Sequence, residues 1–132
     1  MVTDTQAGAA DASAYDVIVI GAGPVGENVA DRAVRGGLKA LIVEKELVGG
    51  ECSYWACIPS KALLRSGSAL RAARAVPGAR EAATGDLDVS AVLARRDSYV
   101  SDWDDEGQVK WLSGAGIDLV RGHARLSGER EV

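Results

Sequence analysis

Cys52 and Cys57 are the only thiols in this 132-residue chain, and four residues separate them. Such a pair can cycle between dithiol and disulfide, help ligate a metal, or stay inert in a core. On a regular helix an i, i+5 pair lies about 7.5 Å apart along the axis, beyond the roughly 7 Å between Cα atoms that a disulfide tolerates. A bonded pair therefore needs a distorted helix start or a loop feeding a helix, and Gly49-Gly50 just ahead gives the chain that freedom. A helix running on through Lys61 would set Cys57 among N–H groups that favour thiolate. Zinc is disfavoured, because four ligands are wanted and His123 is the only histidine.

The second constellation is Gly21-Ala22-Gly23-Pro24-Val25-Gly26, a G-x-G-x-x-G run. Gly21 permits the tight turn out of a strand, Gly23 lets backbone approach a pyrophosphate, and Gly26 allows close helix–strand packing. The helix opening behind them offers free N–H groups and a positive dipole end to phosphate. Glu44 follows Gly26 by 18 residues, close to the spacing at which a carboxylate reaches the adenosine ribose hydroxyls. A carboxylate there repels a 2′-phosphate, so this site suits FAD or NAD over NADP.

The elements that must position these residues can be read from the pattern. Tyr15 to Ile20 predicts a strand buried on both faces, and Leu38 to Val43 a second one. Between them, after the glycine run, residues 27–36 predict a helix closed by Gly36-Gly37, completing one βαβ unit. Residues 61–76 predict a helix, 80–87 a loop, and 89–112 one long helix capped by Asp88. Ile117 to Val120 predicts a third strand, and His123 to Leu126 the start of a fourth. Residues 1–14 are small and polar and predict a disordered tail. The class is α/β with a parallel, Rossmann-like sheet. It is incomplete, since a doubly wound domain wants more strands, and the chain reads as the front part of a longer protein.

Composition narrows the function. A net charge of −4 gives no electrostatic footprint for nucleic acid or anionic membrane. No apolar run approaches the roughly 18 residues that span a bilayer, so the expected location is cytoplasmic. In that reducing compartment a structural disulfide is unexpected. Abundant alanine and glycine and the absence of Phe favour close helix-on-sheet packing.

The run GGECSYWACIPSK resembles the redox-active motif of the class I pyridine nucleotide–disulfide oxidoreductases, which include dihydrolipoamide dehydrogenase, glutathione reductase and mercuric reductase. Gly49, Gly50, Cys52, Cys57, Pro59, Ser60 and Lys61 fall on that motif in register. The likeness is specific from Tyr15 to Arg65 and general from there to Val132. It implies that Gly21, Gly23 and Gly26 surround the pyrophosphate of FAD, that Pro24 also binds the cofactor, and that Glu44 binds the adenosine ribose. It further implies that Lys45, Gly50, Glu51, Cys52 and Lys61 bind the cofactor, with Ala124 against adenine. Cys57 would be the thiolate beside the flavin, Cys52 the outer thiol that exchanges with substrate, and Lys61 the cation near flavin N5.

Within the motif Ala56 stands where glycine is usual; a positive φ there would strain it, whereas a distorted helical turn would accept it. The function implied is electron transfer between NAD or NADP, FAD, a Cys52–Cys57 disulfide and a small thiol or disulfide substrate. The later domains of the family, which carry the nicotinamide site and the dimer interface, lie outside this chain. A homodimer is expected only where that C-terminal domain is present. Two other readings stay open: a flavoprotein of the same fold with inert cysteines, and a nucleotide-binding fragment without independent turnover.

Overall fold

The computed structural model describes residues 15–132; the tail expected over 1–14 lies outside them. Three strands form one parallel sheet in the spatial order β1 (Val17–Ile20), β2 (Ala40–Glu44), β3 (Asp118–Arg121). Val17 faces Ala40 across the first pair and Leu41 faces Asp118 across the second. The central strand Ala-Leu-Ile-Val-Glu is buried at every residue. β1 differs from expectation, because it is only half-buried and Ile20 is 54% exposed. As an edge strand of the described sheet it has a neighbour on one side alone.

α1 (Pro24–Arg35) begins inside the glycine run, earlier than the pattern predicts. Pro24 at the first helical position is preset for helical φ and has no N–H to leave unpaired. Glu27 in the first turn and Arg32 and Arg35 in the last complement the helix dipole. The helix ends at Gly36, and Gly37 takes φ +86°, the left-handed conformation that closes helices. Its inner face, Ala30, Ala33 and Val34, meets Ala22, Ala40, Ile42 and Ile117 in the core. Small side chains on both surfaces let helix and sheet approach closely.

The redox segment forms two helices, α2 (Gly50–Tyr54) and α3 (Cys57–Ala75), where one helix from Lys61 was expected. α3 packs against α4 (Val89–Tyr99), away from the sheet. Arg95, late in α4, donates to the carbonyl of Ala62 near the start of α3 at 2.7 Å, so the two run antiparallel. Asp88 caps α4 by accepting from Ala91 N–H at 3.1 Å.

The long helix expected over 89–112 is broken. α4 stops at Tyr99, Ser101–Trp103 make a tight turn, and α5 (Glu106–Gly114) starts afresh. Ser101, Asp102 and Trp103 all have φ between +51° and +61°, which no right-handed helix accommodates. The cause is polar. Asp104 accepts from Glu106 N–H at 2.8 Å, and Asp105 turns inward to bond the segment before α2. Ser and Asp side chains compete in this way with helical backbone bonds. The fourth strand expected at 123–126 does not form among the described residues: 123–126 carry no regular structure, Ser127 N–H donates to the Glu131 carbonyl at 3.1 Å, and an isolated Gly128–Glu131 bridge closes the turn.

Candidate active site

The carboxyl ends of β1 and β2 open onto a crevice, the usual ligand position in an open parallel sheet. Gly21 leaves β1 with φ +96° while its N–H donates to the Val43 carbonyl at 2.8 Å. At Gly26 a Cβ would fall 2.0 Å from the Gly21 carbonyl oxygen, so nothing larger than glycine fits between helix and loop. Gly23, by contrast, faces open space and stands at the N-terminus of α1 with no side-chain cap, leaving N–H groups of the first turn free for an anion. The crevice has a volume of about 260 Å³. Gly23, Pro24, Glu44, Lys45, Gly50 and Glu51 meet there with Glu46, Leu47 and Trp55. The first six of these nine are residues singled out in the sequence for cofactor binding. Gly21 and Gly26 shape the loop behind it, and Ala124 follows β3 in an unpaired stretch outside the lining.

Glu44 does more than line the crevice. Its Oε2 accepts from Ala22 N–H at 2.6 Å and its Oε1 from Glu46 N–H at 2.7 Å. The side chain thereby pins the glycine loop and the segment after β2 with one buried charge.

That segment delivers the thiols. Gly49 (φ +113°) and Gly50 (φ +57°) turn the chain so that α2 starts on the glycine loop. A Cβ at Gly50 would lie 2.9 Å from the Gly23 Cα, and Gly49 N–H donates to the Ala22 carbonyl at 2.7 Å. Cys52 lies within α2, the helix breaks at Trp55-Ala56, and Cys57 opens α3. The break resolves the spacing problem of an i, i+5 pair on a straight helix. Ala56 has φ −121°, so the alanine at this position meets no left-handed strain.

Both thiols are free and half-buried. The neighbouring Cys57 thiol, first of all, and then burial hold the Cys52 thiol above its usual pKa. Glu27 pushes in the same direction and Lys61 opposes. Lys61 lies one turn beyond Cys57 on the same face of α3.

Three supporting residues were not read from the sequence. Asp105 Oδ2 accepts from Val48 N–H at 2.6 Å and pairs with Arg121 Nη2 at 2.6 Å. Gln108 Nε2 donates to Ser53 Oγ at 3.1 Å. Arg121 follows the third strand candidate directly, at the carboxyl edge of the sheet, and that position was its available signal. Asp105 and Gln108 lay hidden in a segment read as uninterrupted helix. Among the described residues no cluster of three or more His, Cys, Asp or Glu could hold a metal ion. Nor is any described helix long and apolar enough to cross a membrane.

The family model of the pyridine nucleotide-disulphide oxidoreductases matches residues 15–132. The chain belongs to this family. FAD with NAD or NADP, the cofactors implied by the sequence, are those of the family. The open backbone at Gly23 and the uncapped start of α1 fit a pyrophosphate, and the crevice beside them fits a nucleotide. A dihydrolipoyl dehydrogenase of Thermus scotoductus is 40% identical over 118 residues, covering 89% of this chain and 25% of the relative. A mercuric reductase of Staphylococcus aureus is 31% identical over 119 residues, covering 89% and 22%. The chain thus spans about a quarter of the length of these relatives. Among solved structures, the HOCl-induced flavoprotein disulfide reductase RclA from Escherichia coli superposes with a TM-score of 0.66 at 21% identity. That match covers 85% of this chain and 22% of RclA and speaks to the fold.

Proposed function

We propose that this chain is the FAD-binding part of a flavin-dependent disulfide oxidoreductase. It would pass electrons between NAD(P)H, FAD, a Cys52–Cys57 disulfide and a small thiol or disulfide substrate, most like a dihydrolipoyl dehydrogenase. The observation that carries the reading is the meeting of two thiols across a helix break whose first turn rests on the nucleotide crevice. Bound FAD supplies two-electron redox chemistry.

The chain's own residues do the rest. Gly23 and the first turn of α1 receive the pyrophosphate, and Glu44 offers its carboxylate to the ribose while anchoring the loop. Lys61 supplies a positive charge beside the pair, and Cys57, at the first position of α3, is the sulfur that faces the flavin. Cys52 keeps its proton and meets the substrate.

Anaerobic addition of two electron equivalents to the FAD-loaded chain tests this. A long-wavelength thiolate–flavin absorption should appear in the unsubstituted chain; in Cys52→Ser, which has no disulfide to reduce, it should be present before any reductant is added, and in Cys57→Ser it should be missing throughout. Failure to retain flavin, or the same band in Cys57→Ser, would overturn the proposal.

A further inference from the structure

Among the described residues, Trp55 is the one aromatic side chain that lines the nucleotide crevice. It stands at the end of α2, where the helix breaks between the two cysteines, and its N–H donates to the Glu51 carbonyl at 3.0 Å. The residue is 44% exposed. Tyr54 supports its ring: the two meet edge to face, with centroids 5.8 Å apart at 61°. Tyr54 is itself buried, and its hydroxyl donates to the Asp104 carbonyl at 3.4 Å, so the supporting ring is held in place.

A single exposed apolar side chain is ordinary on a protein surface. Trp55 differs in the company it keeps. It shares the crevice with Gly23, whose backbone is open, and with Glu44 at the end of β2. Charge gives a phosphate little attraction there. The lining carries three carboxylates, Glu44, Glu46 and Glu51, and its one cation, Lys45, pairs with Glu46 at 3.5 Å. Binding therefore falls to backbone N–H groups and to apolar packing, which Pro24, Leu47 and Trp55 offer. Of these, Trp55 alone has a π-face. At about 260 Å³ the crevice is smaller than the roughly 300–1,000 Å³ of sites that enclose a whole drug-sized ligand. It has room for one half of FAD, and Gly23 with Glu44 select the half that carries the pyrophosphate and the adenosine ribose.

We propose that Trp55 is a further cofactor-binding residue: its indole is the aromatic wall against which the ADP half of FAD packs. The assignment rests on the FAD reading given above. No bond is made or broken at Trp55; its contribution is packing and the exclusion of water. Because Trp55 belongs to the break between Cys52 and Cys57, a nucleotide held against it bears on the segment that spaces the two thiols.

The test uses the chain's own fluorescence. Trp103 and Trp111 lie outside the crevice and are partly exposed, so the double variant Trp103→Phe with Trp111→Phe leaves Trp55 as the sole indole. ADP has no flavin to accept excitation energy, which makes it the deciding probe. ADP and FAD should each change the Trp55 emission, whereas FMN, which lacks the ADP half, should not once its absorption is corrected for. By titration calorimetry, Trp55→Leu should bind ADP and FAD about tenfold more weakly, the effect of losing one base–aromatic contact. Trp55→Phe should keep most of the affinity. Both variants should unfold in urea near the wild-type midpoint; where Trp55→Leu does not fold, the emission measurement decides alone. A Trp55 emission unmoved by ADP overturns the proposal, as does a Trp55→Leu chain that binds ADP as tightly as Trp55→Phe. A chain that answers to ADP but does not retain FAD refutes the function proposed above and leaves this assignment standing. One that retains FAD with Trp55 unmoved by ADP does the reverse.

Discussion

Replacing Glu44 measures how much one buried carboxylate contributes to the site's architecture, apart from any ligand. In the folded chain it is 7% exposed and accepts two backbone N–H bonds, from Ala22 at 2.6 Å and Glu46 at 2.7 Å. Gln fills the same space with one acceptor and one NH₂ group. It can satisfy one of the two N–H groups, and its NH₂ then faces the other, donor against donor. The remaining bond also loses its charge assistance. A bond to a charged group contributes about 1.5–3 kcal/mol and an orphaned buried N–H costs about 1–3 kcal/mol. Ala22 is fully buried, so water cannot replace the lost acceptor there. Glu44→Gln should therefore destabilise the chain by about 2–4 kcal/mol, and Glu44→Ala, which loses both bonds and leaves a void, by about 3–5 kcal/mol. Urea unfolding followed by circular dichroism, without nucleotide, reads the shift as a lower midpoint at unchanged slope. A Gln variant within about 0.5 kcal/mol of wild type would refute the view that this side chain holds the glycine loop.

Other perturbations separate fold from function. Asp105→Ala strips the acceptor from the buried Val48 N–H and the partner from Arg121; it should cost about 2–4 kcal/mol by urea unfolding. Gly26→Ala sets a methyl 2.0 Å from the Gly21 oxygen. It should cost about 3 kcal/mol or more, read as a lower melting temperature. Gly23→Ala meets no atom within 4 Å; melting should stay near wild type while FAD affinity measured by flavin fluorescence falls. Glu27 predicts the pH trend. Its folded pKa is raised by burial, so the native state binds more protons than the unfolded one between the unfolded value, about 4.3, and the raised folded value. Its contribution to stability therefore falls as pH rises through that window and is restored on acidification. Glu27→Gln should flatten that slope in melting temperature against pH. It should also add about 0.5–1 kcal/mol at neutral pH, a figure reduced because the side chain is partly exposed.

Much of the cradle was legible because glycine, proline and acid each have a narrow physical reason to stand where they do. The run from Gly21 to Gly26 could be assigned mechanical tasks before any coordinates, and Gly26 is confined just as close packing demands. The thiol spacing was legible as a conflict: a bonded i, i+5 pair does not fit a straight helix, and the chain breaks between Tyr54 and Cys57. What local pattern could not carry was long-range polar pairing. Residues 89–112 have helical apolar spacing, yet Asp105 bonds Val48, 57 positions earlier, and the helix breaks ahead of it. Strand 123–126 failed for a related reason: a short β-like run needs a partner edge, and none is offered there among the described residues. Glu44 was singled out for a ligand, and its backbone bonds went unseen because they depend on how two loops converge.

Those loops tie the cradle to the thiols. The Gly23–Gly50 contact, the Gly49 N–H to the Ala22 carbonyl and the Glu44 carboxylate all join the first βα turn to the segment that becomes α2. Asp105 and Arg121 clamp the same segment from the far side, through Val48 N–H and the Glu46 carbonyl. Nothing longer than one helical turn then separates these anchors from Cys52, so the thiol has little freedom to move independently of the crevice. A redox pair that must accept electrons from one side and meet a substrate on the other needs that rigidity, because transfer depends on placement to within fractions of an ångström. The two cysteines contribute the chemistry, and two adjacent glycines with left-handed backbones, Gly49 and Gly50, set where it happens.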